Sequence, residues 1–143
     1  MKSFRFSLER ALEWRRAELE QAEARFKQQT AELAAIERQR AESEAADLRA
    51  ETEVRAWRPV SGEDLAALAA FRTGMRRQWE LLQARRLECE RTLAERQKEM
   101  MEARRRVRLL ERLKERRLAE WRADFDRELE QQAAESYLAQ WGR

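Results

Sequence analysis

Trp57-Arg58-Pro59-Val60-Ser61-Gly62-Glu63-Asp64-Leu65 decides the fold. It holds the only proline of the chain and one of its three glycines, and helix-compatible sequence flanks it on both sides. A proline after a helical run stops the helix, because its ring lacks the N–H and collides with the preceding turn. Ser61-Gly62-Glu63-Asp64 then has the spacing of a capping box, with Asp64 where Glu or Gln is usual. Ser61 Oγ is placed to accept the Asp64 N–H, and the acids Glu63 and Asp64 suit the positive end of a new helix. The stretch predicts two long helices and one sharp reversal.

Working outward, helix one is expected over about 7–57, the turn over 58–62 and helix two over about 62–140, with only Gly74 inside the second helix. Helix one carries two heptad series. The first is Leu12, Leu19, Phe26, Leu33, Arg40, Asp47 and Val54; the second is Leu8, Arg15, Ala22, Gln29, Ile36, Ser43, Ala50 and Trp57. Helix two carries Leu65, Arg72, Trp79, Arg86, Leu93, Met100 and Val107 beside Leu68, Met75, Leu82, Cys89, Arg96, Ala103 and Leu110. Alternating steps of three and four residues mark the seam of a left-handed coiled coil. The seam turns polar around Arg40, Ser43 and Asp47, which predicts a looser, bending section there.

So short a turn permits only antiparallel neighbours. Folding about residue 60 sets Leu12 opposite the Val107 region, Leu19 opposite Met100, Phe26 near Leu93 and Leu33 near Leu87. The predicted fold is all-α, an antiparallel two-helix coiled coil in one hairpin, with helix two extending beyond helix one. Helix one is used up near residue 115, which leaves about 40 Å of helix two at 1.5 Å per residue. That overhang carries Leu118, Trp121, Phe125, Leu129, Ala133, Tyr137 and Trp141 with no partner on helix one. Such a stripe binds something, or else it frays.

At 41% charged residues and a mean hydropathy of -0.95, the chain is poor in core formers for an ordinary globular domain. Disorder is the plain reading of such polarity, but spaced Leu, Trp and Phe in an Ala/Glu/Leu/Arg/Gln background point to a coiled coil. No stretch approaches the roughly 18 apolar residues of a membrane span, so a soluble chain is expected. The opening Met1-Lys2-Ser3-Phe4-Arg5-Phe6-Ser7-Leu8 has no apolar core of the kind a secretory signal needs. A single cysteine, Cys89, has no partner for an internal disulfide, which fits a reducing compartment. The 31 basic and 28 acidic residues leave a net charge of only +3 and are mixed along the chain. Glu23→Lys27, Glu51→Arg55 and Glu102→Arg106 have the favourable order for i,i+4 pairs, worth roughly 0.2–0.5 kcal/mol each.

Catalysis is not expected. Histidine is absent, the lone cysteine has no base, no Gly-rich phosphate loop exists, and two helices offer no pocket in which to tune a carboxylate. No metal, cofactor or small-molecule substrate is implied. Cys89 reads as a small buried hydrophobe or as a reactive or interchain thiol. Trp14, with Phe4 and Phe6 upstream, reads as an aromatic cap on the open end of the hairpin or as a partner contact. The basic run of Arg104, Arg105, Arg106, Arg108, Arg112, Lys114, Arg116, Arg117 and Arg122 is a solvated face, an electrostatic dock for an acidic protein cavity, or a nucleic-acid contact. The last is the weakest, since a zipper-type basic region precedes its coiled coil and this one follows a hairpin seam. Phe71 and Met75 read as packing against the end of helix one near Trp57 and Val54, or as a partner surface beside the turn.

Two motifs then gain a shared meaning. Phe4-Arg5-Phe6-Ser7-Leu8-Glu9-Arg10-Ala11-Leu12, followed by Glu18, Glu20 and an Ala/Glu/Gln-rich helix, resembles the start of flagellar FliJ proteins. Leu109-Leu110-Glu111-Arg112-Leu113-Lys114-Glu115-Arg116-Arg117 is similar to that family's signature late in its second helix. Length, the mid-chain break and the aromatic Phe71 soon after it agree, so the resemblance covers nearly the whole chain. It implies a stalk of the flagellar type III export apparatus that sits in the pore of the hexameric export ATPase and promotes ring assembly. It also implies coupling of the ring to the export-gate membrane protein, and binding of export chaperones. The cytoplasmic face of the inner membrane at the flagellar base is the implied location, with the chain a monomer alone and no nucleic acid bound. On this pattern Arg104, Arg105, Arg108, Arg112, Arg116, Leu118, Trp121 and Phe125 face the ATPase, and Phe71 and Met75 face the gate. The stalk of a virulence injectisome, and a structural coiled-coil linker or dimerisation module, are the competing readings.

Overall fold

The computed structural model describes residues 3–57 and 59–142. It contains two helices, α1 (Glu9–Ala56, 48 residues) and α2 (Gly62–Trp141, 80 residues). No strand occurs among the described residues, and the chain is an all-α helical hairpin whose second helix is the longer. Both helices lie within two residues of their expected bounds. Arg58, the first residue of the predicted turn, lies outside the described residues.

The reversal is built as its residues dictate. Val54 C=O accepts the Trp57 N–H at 3.2 Å and closes α1. The capping box then forms in both directions: Asp64 N–H donates to Ser61 Oγ at 3.1 Å, and Ser61 N–H donates to Asp64 Oδ2 at 3.0 Å. Backbone N–H groups at the start of a helix have no partner within it, and here side chains three residues apart supply one. Ser61 C=O also accepts the Leu65 N–H at 3.2 Å, the first turn of α2.

The chain forms two compact units, Ala22–Glu99 and Met1–Gln21 with Met100–Arg143. In the first unit the helices run antiparallel. Pairs that step up α1 step down α2: Gln29 with Cys89, Glu37 with Arg86, Arg40 with Trp79, and Asp47 and Glu51 with Arg72. Val54, Leu82 and Cys89 are buried here, flanked by half-buried Phe26, Leu33, Ile36 and Leu93. Leu87 is exposed, so it adds little to the buried layer around Leu33. It stands one position past the seam residue Arg86 and turns outward. Leu65 and Trp79 are also exposed, so the helix-two seam is buried less fully near the turn than the heptads predict.

The polar layers of this unit are matched across the hairpin. Arg72 Nε lies 3.7 Å from Asp47 Oδ1 and its NH2 lies 3.2 Å from Glu51 Oε2. Asp47 Oδ1 is buried without a hydrogen bond, so the neighbouring guanidinium charge compensates it. The Arg40 guanidinium lies 5.6 Å from the Trp79 ring centre, within cation–π range. Helix α1 continues unbroken through this section, and Ser43, too small to fill its layer, lines a groove on either side.

In the second unit Leu12 is fully buried, with buried Ala103 and Val107 on α2. Lys114 Nζ to Glu9 Oε2 at 2.9 Å and Arg16 to Glu111 at 3.3 Å fix the antiparallel register. Glu9 is the first residue of α1, so α2 continues alone past Lys114 for about 40 Å, counting 1.5 Å per residue to Trp141. The expectation that this overhang has no partner in its own chain needs one correction. The non-helical residues 3–6 come back to it, and Phe4 packs on Trp121 with ring centres 6.1 Å apart. Trp121 in turn stacks on Phe125 at 5.3 Å and 11°. Leu129, Tyr137 and Trp141 remain exposed.

Candidate functional site

Two regions carry the residues singled out by the sequence, one in each unit. Beside the turn, Phe71 is 40% exposed and Met75 is half-buried. Met75 lines two grooves of about 510 and 240 Å³, the first with Ser43, Ala46 and Leu82 and the second with Ser43, Asp47 and Trp79. Its neighbours on α1 are thus Ser43 to Asp47, not Val54 and Trp57 as the packing reading expected. Phe71 is the freer of the pair. The seam uses Met75 and leaves Phe71 at the surface.

In the unit that holds the chain ends, the predicted partner-facing set divides. Leu118, Trp121 and Phe125 are half-buried on the side where Phe4 lies. Arg105, Arg108, Arg112 and Arg116 are exposed. Arg112 precedes Trp121 by nine residues, and Arg116 precedes Phe125 by nine, a spacing of about two and a half turns at 3.6 residues per turn. The aromatics and the arginines therefore occupy opposite faces of α2, and no single flat partner surface reaches both. Arg104 is half-buried on the flank between them. Arg105 and Arg106 lean on Glu102 at 4.0 and 3.6 Å, the second being one of the i,i+4 pairs read from sequence. Glu51–Arg55 closes likewise at 2.8 Å.

The aromatic side is a half-open groove of about 990 Å³ lined by Ser3, Phe4, Arg5, Phe6, Ser7, Arg117 and Trp121. Phe6 C=O accepts the Glu9 N–H at 3.1 Å, which ties this segment to the first turn of α1. Phe4 and Phe6 thus behave as the cap, and Trp14 does not join them. Trp14 is 58% exposed, with the Arg15 guanidinium 4.7 Å from its ring centre. Sequence reasoning did not find the Phe4–Trp121 contact; the signal for it was the Phe-x-Phe alternation ahead of the helix, set against a stripe on α2 that lacked a partner.

Cys89 is buried, Gln29 Nε2 donates to its Sγ at 3.0 Å, and its thiol reaches Gln29 C=O at 3.8 Å. The site reads as a packed seam layer. Among the described residues no cluster of three or more His, Cys, Asp or Glu side chains could hold a metal ion. No described helix is long and apolar enough to cross a membrane. What the two regions offer is charge, aromatic surface and length. No protein-family model, curated protein or solved structure matches the chain.

Proposed function

We propose that the chain is a non-catalytic stalk of a type III protein export apparatus, of the flagellar kind its two end motifs resemble. The observation that carries the reading is the region where α2 outlasts α1 at the Glu9–Lys114 pair: exposed Arg105, Arg108, Arg112 and Arg116 line one face of α2 up to and just past that pair, and the Phe4–Trp121–Phe125 cluster lies on the other. A helix with working groups on opposite sides suits a partner that surrounds it, such as the pore of a hexameric ATPase ring. Arg105, Arg108, Arg112 and Arg116 engage acidic loops of the ring, where complementary charge speeds encounter and sets register. On this reading Phe71, exposed beside the turn, meets the export-gate membrane protein, and Met75 holds the local packing. Export chaperones are further partners, and the protein works at the cytoplasmic face of the inner membrane, bound there through the gate.

The test is assembly of the purified export ATPase with and without the full chain, followed by ATPase rate and by sedimentation of the ring. Wild type is expected to raise both hexamer content and rate, and Arg105→Glu/Arg112→Glu to raise neither. A ring that assembles equally well without this protein would sink the proposal.

A further inference from the structure

The face of α2 opposite the hairpin seam carries a pattern that the stalk reading uses only in part. Stepping along it by three or four residues gives Met101, Arg105, Arg108, Arg112, Arg116, Ala119, Ala123, Asp126, Glu130, Ala134, Tyr137 and Trp141, and every one is exposed. The steps average close to 3.6 residues, so the line stays straight along the helix. All of it lies within one compact unit, Met1–Gln21 with Met100–Arg143. Its first half is basic, its centre small and its second half acidic, with apolar residues at both ends.

We infer that this face pairs with the same face of a second copy of the chain, antiparallel, about a two-fold axis at the level of residue 121. Reversing the line upon itself places Arg112 opposite Glu130 and Arg116 opposite Asp126. Met101 meets Trp141, Arg105 meets Tyr137 with cation–π geometry open to it, and Ala119 meets Ala123, where small side chains let the helices approach. The flanking charges obey the same symmetry: Glu115 faces Arg127 and Glu120 faces Arg122. No like-charge pair arises in that register. A two-fold interface must be self-complementary, and this one is.

Arg112, Arg116, Asp126 and Glu130 form no ion pair among the described residues. Within a lone helix, Arg112 and Arg116 at i,i+4 repel each other, as do Asp126 and Glu130. The second copy supplies the opposite sign to both. A parallel pairing in register would instead set Arg112 and Arg116 against their own copies, and Asp126 and Glu130 against theirs. Charge thus selects the antiparallel sense, and along this line only the register about residue 121 gives Arg112 and Arg116 an acid each.

This inference rests on the spacing and exposure of α2 and not on the stalk reading, although both use the same arginines. Pairing would occupy them, so the dimer and the ring-bound form exclude each other.

The experiment needs only the full-length protein. Sedimentation equilibrium at low salt and at about 0.15 M salt should show a monomer–dimer equilibrium that weakens with salt. Arg112→Glu/Arg116→Glu, or Asp126→Arg/Glu130→Arg, should each raise the dissociation constant about tenfold or more, because facing pairs become like-charged. Mixing those two variants should restore a one-to-one heterodimer, and combining all four substitutions in one chain should restore the homodimer. These side chains lie outside the seam, and far-UV circular dichroism of each variant checks that its helices persist. A wild-type chain that is monomeric at every concentration and salt, or swapped variants that fail to recognise each other, would overturn the pairing whatever the ATPase assay shows.

Discussion

Asp64 owes its role to a single neighbour. The Ser61 N–H donates to its carboxylate, and the Ser61 side chain adds to the effect, so its pKa is held below the usual aspartate value. A depressed folded-state pKa contributes stability that is complete above the unfolded-state value, about 3.9, and is lost as the pH falls through the lower folded-state value. Asp64→Asn should therefore destabilise the hairpin at neutral pH, and the gap between variant and wild type should close as the pH drops below about 4. Urea midpoints followed across an acid series measure this. Ser61→Ala removes the acceptor for the Asp64 N–H and should cost about 1 kcal/mol at any pH above that window. An Asn variant whose deficit grows on acidification would show that the carboxylate is not the stabilising form.

Each helix was legible where periodicity governs it. Among the described residues, Leu12, Ala22, Val54, Leu82, Cys89, Ala103 and Val107 are the buried apolar side chains, and every one stands in a heptad series. A period of three and four is local information, available along the chain without knowledge of the partner. What periodicity does not carry is the non-helical segment, and there the reading fell short. Phe4 has no phase to read, so its landing on Trp121 is a tertiary event that follows from the return of residues 3–6 along α2. The split of the arginines from the aromatics was legible in the nine-residue spacing, but grouping them by proximity in sequence obscured it. Phe4→Ala should cost about 0.5–1.5 kcal/mol for the lost aromatic contact, beyond the area it buries. It should also shift Trp121 emission to longer wavelength, read most cleanly with Trp14, Trp57, Trp79 and Trp141 replaced by Phe. No spectral change would mean that the segment does not cover Trp121 in solution.

For the whole molecule, the question is where stability stops and binding begins. From residue 126 to 142 every side chain is exposed, and Trp141 reaches 77%. A helix that buries nothing draws little from the rest of the chain, since most helical stability in proteins comes from a packed face. Those residues still include half of the self-complementary line, and Tyr137 and Trp141 are costly aromatics to leave in water. Folding does not explain them, and association does. Ending the chain after Phe125 should therefore separate the two properties. At low protein concentration the truncated chain should unfold within about 0.5 kcal/mol of wild type, as expected when no buried contact is removed. At high concentration the wild-type midpoint should rise, because anything that binds only the folded form stabilises it by mass action, while the truncated chain should show no such rise. Paired urea melts over a concentration series decide it. A truncated chain already much weaker when dilute would place residues 126–142 in the folded core of the hairpin instead, and equal concentration dependence in both would remove the tail from the interface.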